Sequence, residues 1–193
     1  IQCQTIVNLI LIVDIMNKNM CVYLGATLPL NPNYINATKT LGRLLKKYNL
    51  NLVYGGAARG LMGLLADNAL DAGVYTTGVM SDDLLDIEII HPKINEVFNT
   101  KNINLRKEKM IELSDVFIML PGGVGSCEEL FNTWCHIKIT HSHKKIGLLN
   151  IDGFYDPLLT LFDNMLKEGF IEQKHRDVIH SSNDVETLIQ SLI

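Results

Sequence analysis

Asp115-Val-Phe-Ile-Met-Leu120-Pro-Gly-Gly-Val-Gly125-Ser-Cys-Glu-Glu129 carries five apolar residues, Val116 to Leu120, into a turn with three glycines. The apolar run has strand character, and helical spacing begins behind the turn at Ser126. A strand, a glycine turn and a helix in that order predict an anion cradle. Glycine lets backbone N–H groups come close to a phosphate, and the helix dipole favours negative charge there. Glu128 and Glu129 then fall in the first helical turn. Carboxylates repel a phosphate, so they need a second reason to be present. They either complement the dipole or act on the sugar or base of a nucleotide. Spacing alone does not rank the two.

Working outward, short apolar runs alternate with longer amphipathic ones. Strands are expected at 22–24, 52–54, 75–79, 96–98, 116–120, 145–149 and 177–180, and helices at 34–48, 61–72, 104–113, 126–139, 157–168 and 183–192. Gly73 reads as the glycine that closes the second helix and Asn183 as the N-cap of the last. This alternation implies an α/β fold: a single Rossmann-like domain whose mostly parallel sheet has helices on both faces. Ligands of such sheets sit beyond the carboxyl ends of the strands, where strand order reverses. Three glycine-rich turns should share that edge: Gly25-Ala-Thr27, Gly55-Gly-Ala-Ala-Arg-Gly60 and Pro121 to Gly125.

The domain is expected over residues 20–193, with residues 1–19 an extension outside it. The apolar stretch 6–16 is interrupted by Asn8 and Asp14, is too short to span a bilayer, and lacks a basic leader and a small-residue cleavage site. At 193 residues, 47% hydrophobic and 20% charged, the chain has the length and composition of one globular domain. A net charge of −4 without a basic run argues against nucleic acid as a partner, and nothing calls for a membrane. Cys3, Cys21, Cys127 and Cys135 have neither metal spacing nor disulfide density, which fits reduced thiols in a cytoplasmic protein. His141 and His143 lie in a polar loop with no accompanying ligand cluster, so no metal site is expected.

The glycine turn lacks the third glycine of a dinucleotide fingerprint, and the chain has no Gly-Lys-Ser/Thr P-loop. What remains is a mononucleotide phosphate held by backbone amides and the Ser126 hydroxyl. Upstream, Arg106-Lys107-Glu108-Lys109 is either a solvated helix face or part of the site, and periodicity leaves both open.

Taken together, these motifs resemble the LONELY GUY (LOG) family of cytokinin-activating phosphoribohydrolases, proteins often described as lysine decarboxylases. The family pattern Pro-Gly-Gly-x-Gly-Thr-x-x-Glu stands here as Pro121 to Glu129, with Ser126 in place of threonine. Its Arg-Lys pair corresponds to Arg106-Lys107, and the stretches 51–63 and 147–155 are also similar. Departures include Gly25-Ala-Thr27 for Gly-Ser-Ser, Met80-Ser81 for Ile-Pro, Asn104 for histidine and Cys135 for threonine. The resemblance implies hydrolysis of the N-glycosidic bond of AMP or an N6-substituted AMP, with no cofactor and no metal, by a homodimer. It implies catalytic roles for Arg106 and Glu129, and substrate binding by Glu88, Lys107, Gly122, Gly123, Gly125, Ser126, Gly55 and Gly56. Glu128 is then a helix-start acid. The alternative is a non-enzymatic carrier of a nucleotide or of molybdenum cofactor on the same fold. Pyridoxal-dependent lysine decarboxylation is disfavoured, because no lysine has the context of a Schiff base.

Overall fold

In the computed structural model, which describes residues 17–84 and 88–193, seven strands form one parallel sheet. They are β1 (Lys18–Tyr23), β2 (Leu50–Tyr54), β3 (Thr76–Ser81), β4 (Glu96–Thr100), β5 (Val116–Met119), β6 (Ile146–Leu149) and β7 (Ile179–Ser182). The order is β4-β3-β2-β1-β5-β6-β7. The chain winds outward from β1 through β4, then returns to pair β5 against the other side of β1. Strand order therefore reverses between β1 and β5, the place where a doubly wound sheet opens a crevice.

Among the described residues, seven α-helices accompany the strands: α1 (Pro32–Lys47), α2 (Gly60–Asp71), α3 (Ile103–Leu113), α4 (Val124–Thr140), α5 (Asp156–Lys167), α6 (Gln173–Arg176) and α7 (Val185–Leu192). Alternate strand residues point to opposite faces and build two cores. Met20, Val22, Val116 and Ile118 pack with Leu41 and Leu45 of α1, Leu61 and Leu65 of α2, and Leu188 of α7. Cys21, Tyr23, Phe117 and Met119 pack on the other face with Met110 of α3, Leu130 and Trp134 of α4, and Phe162 of α5. Each such large apolar side chain removed from water contributes roughly 1.5–3 kcal/mol. Both faces being covered explains why the strands read as unbroken apolar runs.

Two local expectations are corrected, and one element was not expected. α4 begins at Val124, with Gly123 as its N-cap, and not at Ser126. Gly125 is a poor helix former, but a first-turn residue has no intrahelical N–H bond to lose, so the glycine is tolerated there. The N-cap of α7 is Asp184, whose carboxylate accepts from the Thr187 N–H at 2.8 Å; Asn183 stands one residue outside. Finally, α6 is a single turn, too short to leave a periodic signal. Gly73 does close α2, at φ +76° just beyond the C-cap Ala72. Of the expected extension 1–19, residues 1–16 lie outside the described residues, while Lys18 and Asn19 pair with Leu50 and Asn51 as the first rungs of β1.

Gly60 locks the second glycine turn against the first. Its φ is +59°, and a Cβ there would lie 2.1 Å from the backbone oxygen of Ala26. Neither the left-handed geometry nor the backbone contact can relax cheaply. Gly60→Ala is therefore expected to destabilise the fold by roughly 2–4 kcal/mol. The fall in thermal midpoint should be roughly 2–4 °C per kcal/mol, and an unchanged midpoint would refute the close approach.

Candidate active site

The carboxyl ends of β1, β2 and β5 place their glycine turns side by side. Gly25 and Gly122 meet at the switch point, where a Cβ on Gly122 would be 3.4 Å from the Gly25 nitrogen and 2.4 Å from Ser126 Oγ. Gly122 thus leaves room for the serine hydroxyl behind the turn. Leu120 extends the β5 ladder by one bond, donating its N–H to Tyr23 O at 3.0 Å. The Leu120 carbonyl accepts from the buried Tyr155 hydroxyl at 2.6 Å. The strand end that carries the turn is thereby held from both sides.

Beyond it lies a cavity of about 260 Å³ lined by Gly25 to Thr27, Gly55, Met62, Glu88, Arg106, Gly123, Gly125, Ser126 and Glu129. Gly123 and Gly125 have nothing within 4 Å of where a Cβ would stand. Their backbone faces open space at the N-terminus of α4, where Val124, Gly125 and Ser126 supply first-turn N–H groups without intrahelical partners. A 17-residue helix directs its dipole at the same spot. The geometry is that of an anion cradle.

Arg106 is buried, and its guanidinium bridges β3 and the turn that follows β2. Nε donates to Val79 O at 2.7 Å and Nη2 to Gly55 O at 3.1 Å. Gly55 must be glycine for this, since a Cβ would lie 2.2 Å from Nη2. The Glu88 carboxylate stands 4.0 Å from the same nitrogen, and its Oε2 is buried with no hydrogen-bond partner among the described residues. An unsatisfied buried acceptor is costly and uncommon, and here it lines the cavity as a ready partner for a ligand hydroxyl.

Glu129 is half-buried at the cavity wall. Burial pushes its carboxyl up to about 7; the Arg106 guanidinium pulls it down, while Glu128 and Glu88 push it further up. Beneath it, the Tyr23 hydroxyl and Thr133 Oγ1 share a hydrogen bond of 2.7 Å. A carboxylate poised near neutrality, beside a fixed cation and an open anion cradle, can exchange a proton with water or stabilise positive charge on a sugar.

The structure places the other expected residues differently. Glu128 lies in the second turn of α4, so it does not complement the dipole at the helix start; its carboxylate pairs with Lys107 Nζ. Lys107 is buried in that pair and does not line the 260 Å³ cavity. Gly56 is a backbone device: φ is +84°, and a Cβ would meet the Met80 sulfur at 2.9 Å. Gly122 and Gly123 also border a neighbouring hollow of about 200 Å³ that includes Tyr34 and Phe154. Met62, on the first turn of α2, lines the main cavity without having been singled out in the sequence.

A family model described as "Possible lysine decarboxylase" matches residues 62–192. Among curated relatives, the cytokinin riboside 5'-monophosphate phosphoribohydrolase LOG of Oryza sativa subsp. japonica is 38% identical over 178 residues, covering 91% of this chain and 72% of that protein. A cytokinin riboside 5'-monophosphate phosphoribohydrolase of Arabidopsis thaliana is 38% identical over 177 residues, covering 91% and 82%. Among solved structures, the molybdenum cofactor carrier protein of Chlamydomonas reinhardtii superposes with a TM-score of 0.66 at 19% identity, covering 91% and 96% of the two chains. The molybdenum cofactor binding protein of Rippkaea orientalis gives 0.66 at 20% identity, covering 91% and 95%. At those identities the structures share the fold.

Proposed function

The chain belongs to the LOG family, whose model carries the lysine decarboxylase description, and on that premise we propose that it hydrolyses the N-glycosidic bond of AMP or an N6-substituted, cytokinin-type AMP. Water adds at C1′, the C1′–N9 bond breaks with its electron pair leaving on the base, which takes up a proton equivalent to the one lost by the water, and the products are free base and ribose 5-phosphate. The first-turn amides of α4, with Gly123, Gly125 and the Ser126 hydroxyl, hold the 5′-phosphate. Glu129 in its ionised form stabilises the oxocarbenium-like sugar and takes the proton of the attacking water. Arg106 fixes the wall opposite, and Glu88 Oε2 accepts from a ribose hydroxyl. Water is the only co-reactant, so the reaction calls for no cofactor.

The observation that supports this reading above others is that Arg106 and Glu129, whose carboxyl is raised to about 7, line one cavity beside an open phosphate cradle. A carrier needs the cradle but has no use for a carboxylate held near neutrality. The curated relatives also weigh towards the enzyme, at 38% identity against 19% for the carrier structure. A homodimer and a cytoplasmic setting belong to the same proposal. The exposed Leu28, Leu30 and Val124 near the cradle are the apolar surface that a second copy would cover, and the described cysteines are all free. Among the described residues, no helix is long and apolar enough to cross a membrane.

Incubation with AMP and with isopentenyl-AMP, followed by assay of free base and ribose 5-phosphate, tests the reaction. Release from at least one is expected, and binding of both without release would make the chain a carrier. Because the ionised Glu129 is the working form, kcat/KM should fall as pH drops through about 7. The substrate phosphate titrates separately, near 6. A rate independent of pH between 6 and 8 would exclude this carboxylate as the base.

A further inference from the structure

A second cavity, of about 400 Å³, lies at the opposite edge of the sheet, where β6 and β7 begin. It is framed by the last turns of α4, the loop before β6, α6 and the start of β7. In a chain of net charge −4, its rim gathers Lys138, Lys144, Lys145 and Lys174, against one lining carboxylate, Asp177. Four of the six histidines line it as well: His141, His143, His175 and His180. Its floor is apolar, built from Trp134, Ile137 and Val178.

Part of this charge has a local explanation. Lys138 and His141 stand at the C-terminus of α4, where cations complement the dipole, and Lys174 pairs with Glu172 at 2.9 Å. The rest has none. Lys144 Nζ donates to Ile111 O at 2.8 Å and Lys145 Nζ to Ser191 O at 3.0 Å, which anchors both ammoniums on carbonyls. Among the described residues neither has a carboxylate within 4.0 Å. His175 is buried and its Nδ1 accepts from the Glu172 N–H at 3.2 Å, so Nε2 carries the proton as a donor. Burial, and then Lys145, lower the pKa of His180, while Asp177 raises it.

We propose that this cavity is a second ligand site, for a small polyanion bearing an aromatic or apolar portion, such as a polyphosphorylated nucleotide. Anchored cations around an apolar floor match that chemistry, whereas a nucleic-acid surface would spread its charge along a track. The cavity is built on the C-terminal turns of α4, the helix whose N-terminus forms the phosphate cradle, so one rigid element joins the two sites.

Trp134, the only tryptophan of the chain, lies in the floor and reports on occupancy. The full chain is titrated with ATP and with inorganic tripolyphosphate at constant ionic strength, reading Trp134 fluorescence. A saturable change is expected with both probes, and ATP should bind several-fold more tightly because it also covers the floor. The double variant Lys144→Glu/Lys145→Glu should weaken binding at least tenfold, and Lys138→Glu on the exposed rim by a smaller factor, with cleavage of AMP unaffected by either. A non-saturating response, or one that survives all three charge reversals, would overturn the site. So would displacement of the probes by ribose 5-phosphate, which would place them in the other cavity. Equal affinities for the two probes would overturn the apolar half of the assignment. The fluorescence readings do not depend on whether the chain cleaves AMP.

Discussion

Glu129→Gln is expected to lower kcat/KM for AMP by roughly 10²–10⁴-fold while leaving the protein folded. The amide keeps the size of the side chain and its place at the cavity wall, but it can neither take a proton from water nor offset charge on the sugar. Its effect on stability should carry a pH signature. In the folded wild type the carboxyl is raised to about 7 from its ordinary 4.5, chiefly by burial. Between those values the folded state binds more protons than the unfolded state, so this group makes stability fall as pH rises. Glutamine removes that dependence. Relative to wild type, the variant should therefore be more stable at pH 8 than at pH 5, as measured by urea midpoints. Full turnover in the variant would sink the proposed chemistry. A stability difference equal at both pH values would instead show that the carboxyl is not raised.

How much of this was legible beforehand depended on whether the physics was local. The strand before the cradle is readable because Val116 to Leu120 is a short apolar run ended by Pro-Gly-Gly, and both faces of β5 are buried. The start of α4 is not, because Val124 and Gly125 are poor helix formers, and the reason they serve there, open backbone at an anion site, is tertiary. That two-residue shift changes the meaning of Glu128, from a dipole partner to the counter-ion of Lys107.

Arg106 is the sharper case. In a charged run on a helix the default is solvent, yet Arg106 and Met110 share a face at i,i+4, as do Lys107 and Ile111, and all four are buried. That spacing was the available signal for placing the basic pair inside. The basic cavity left no comparable trace. Its residues come from 134–145 and 174–180, and only the crossover through α5 brings them together.

The same arginine supplies the other large effect. Arg106→Gln is expected to reduce AMP cleavage by at least 10²-fold and to move the acid limb of the pH profile above 7. The guanidinium is the strongest influence holding the Glu129 carboxyl down. Without it, burial and the neighbouring Glu128 and Glu88 carboxylates act unopposed except by Lys107, so less of Glu129 is ionised at neutral pH. Removing the fork also strips donors from Val79 O and Gly55 O, each at a cost of roughly 1–3 kcal/mol, so the urea midpoint should fall with activity. Arg106→Lys separates the two contributions. Lysine keeps the charge but cannot reach both carbonyls with one planar group, so turnover should drop while the limb stays near 7. If the limb of Arg106→Gln does not move, the cation is not what tunes Glu129. The arginine then serves only to hold the end of β2 against β3, and Arg106→Lys should lose as much stability as Arg106→Gln.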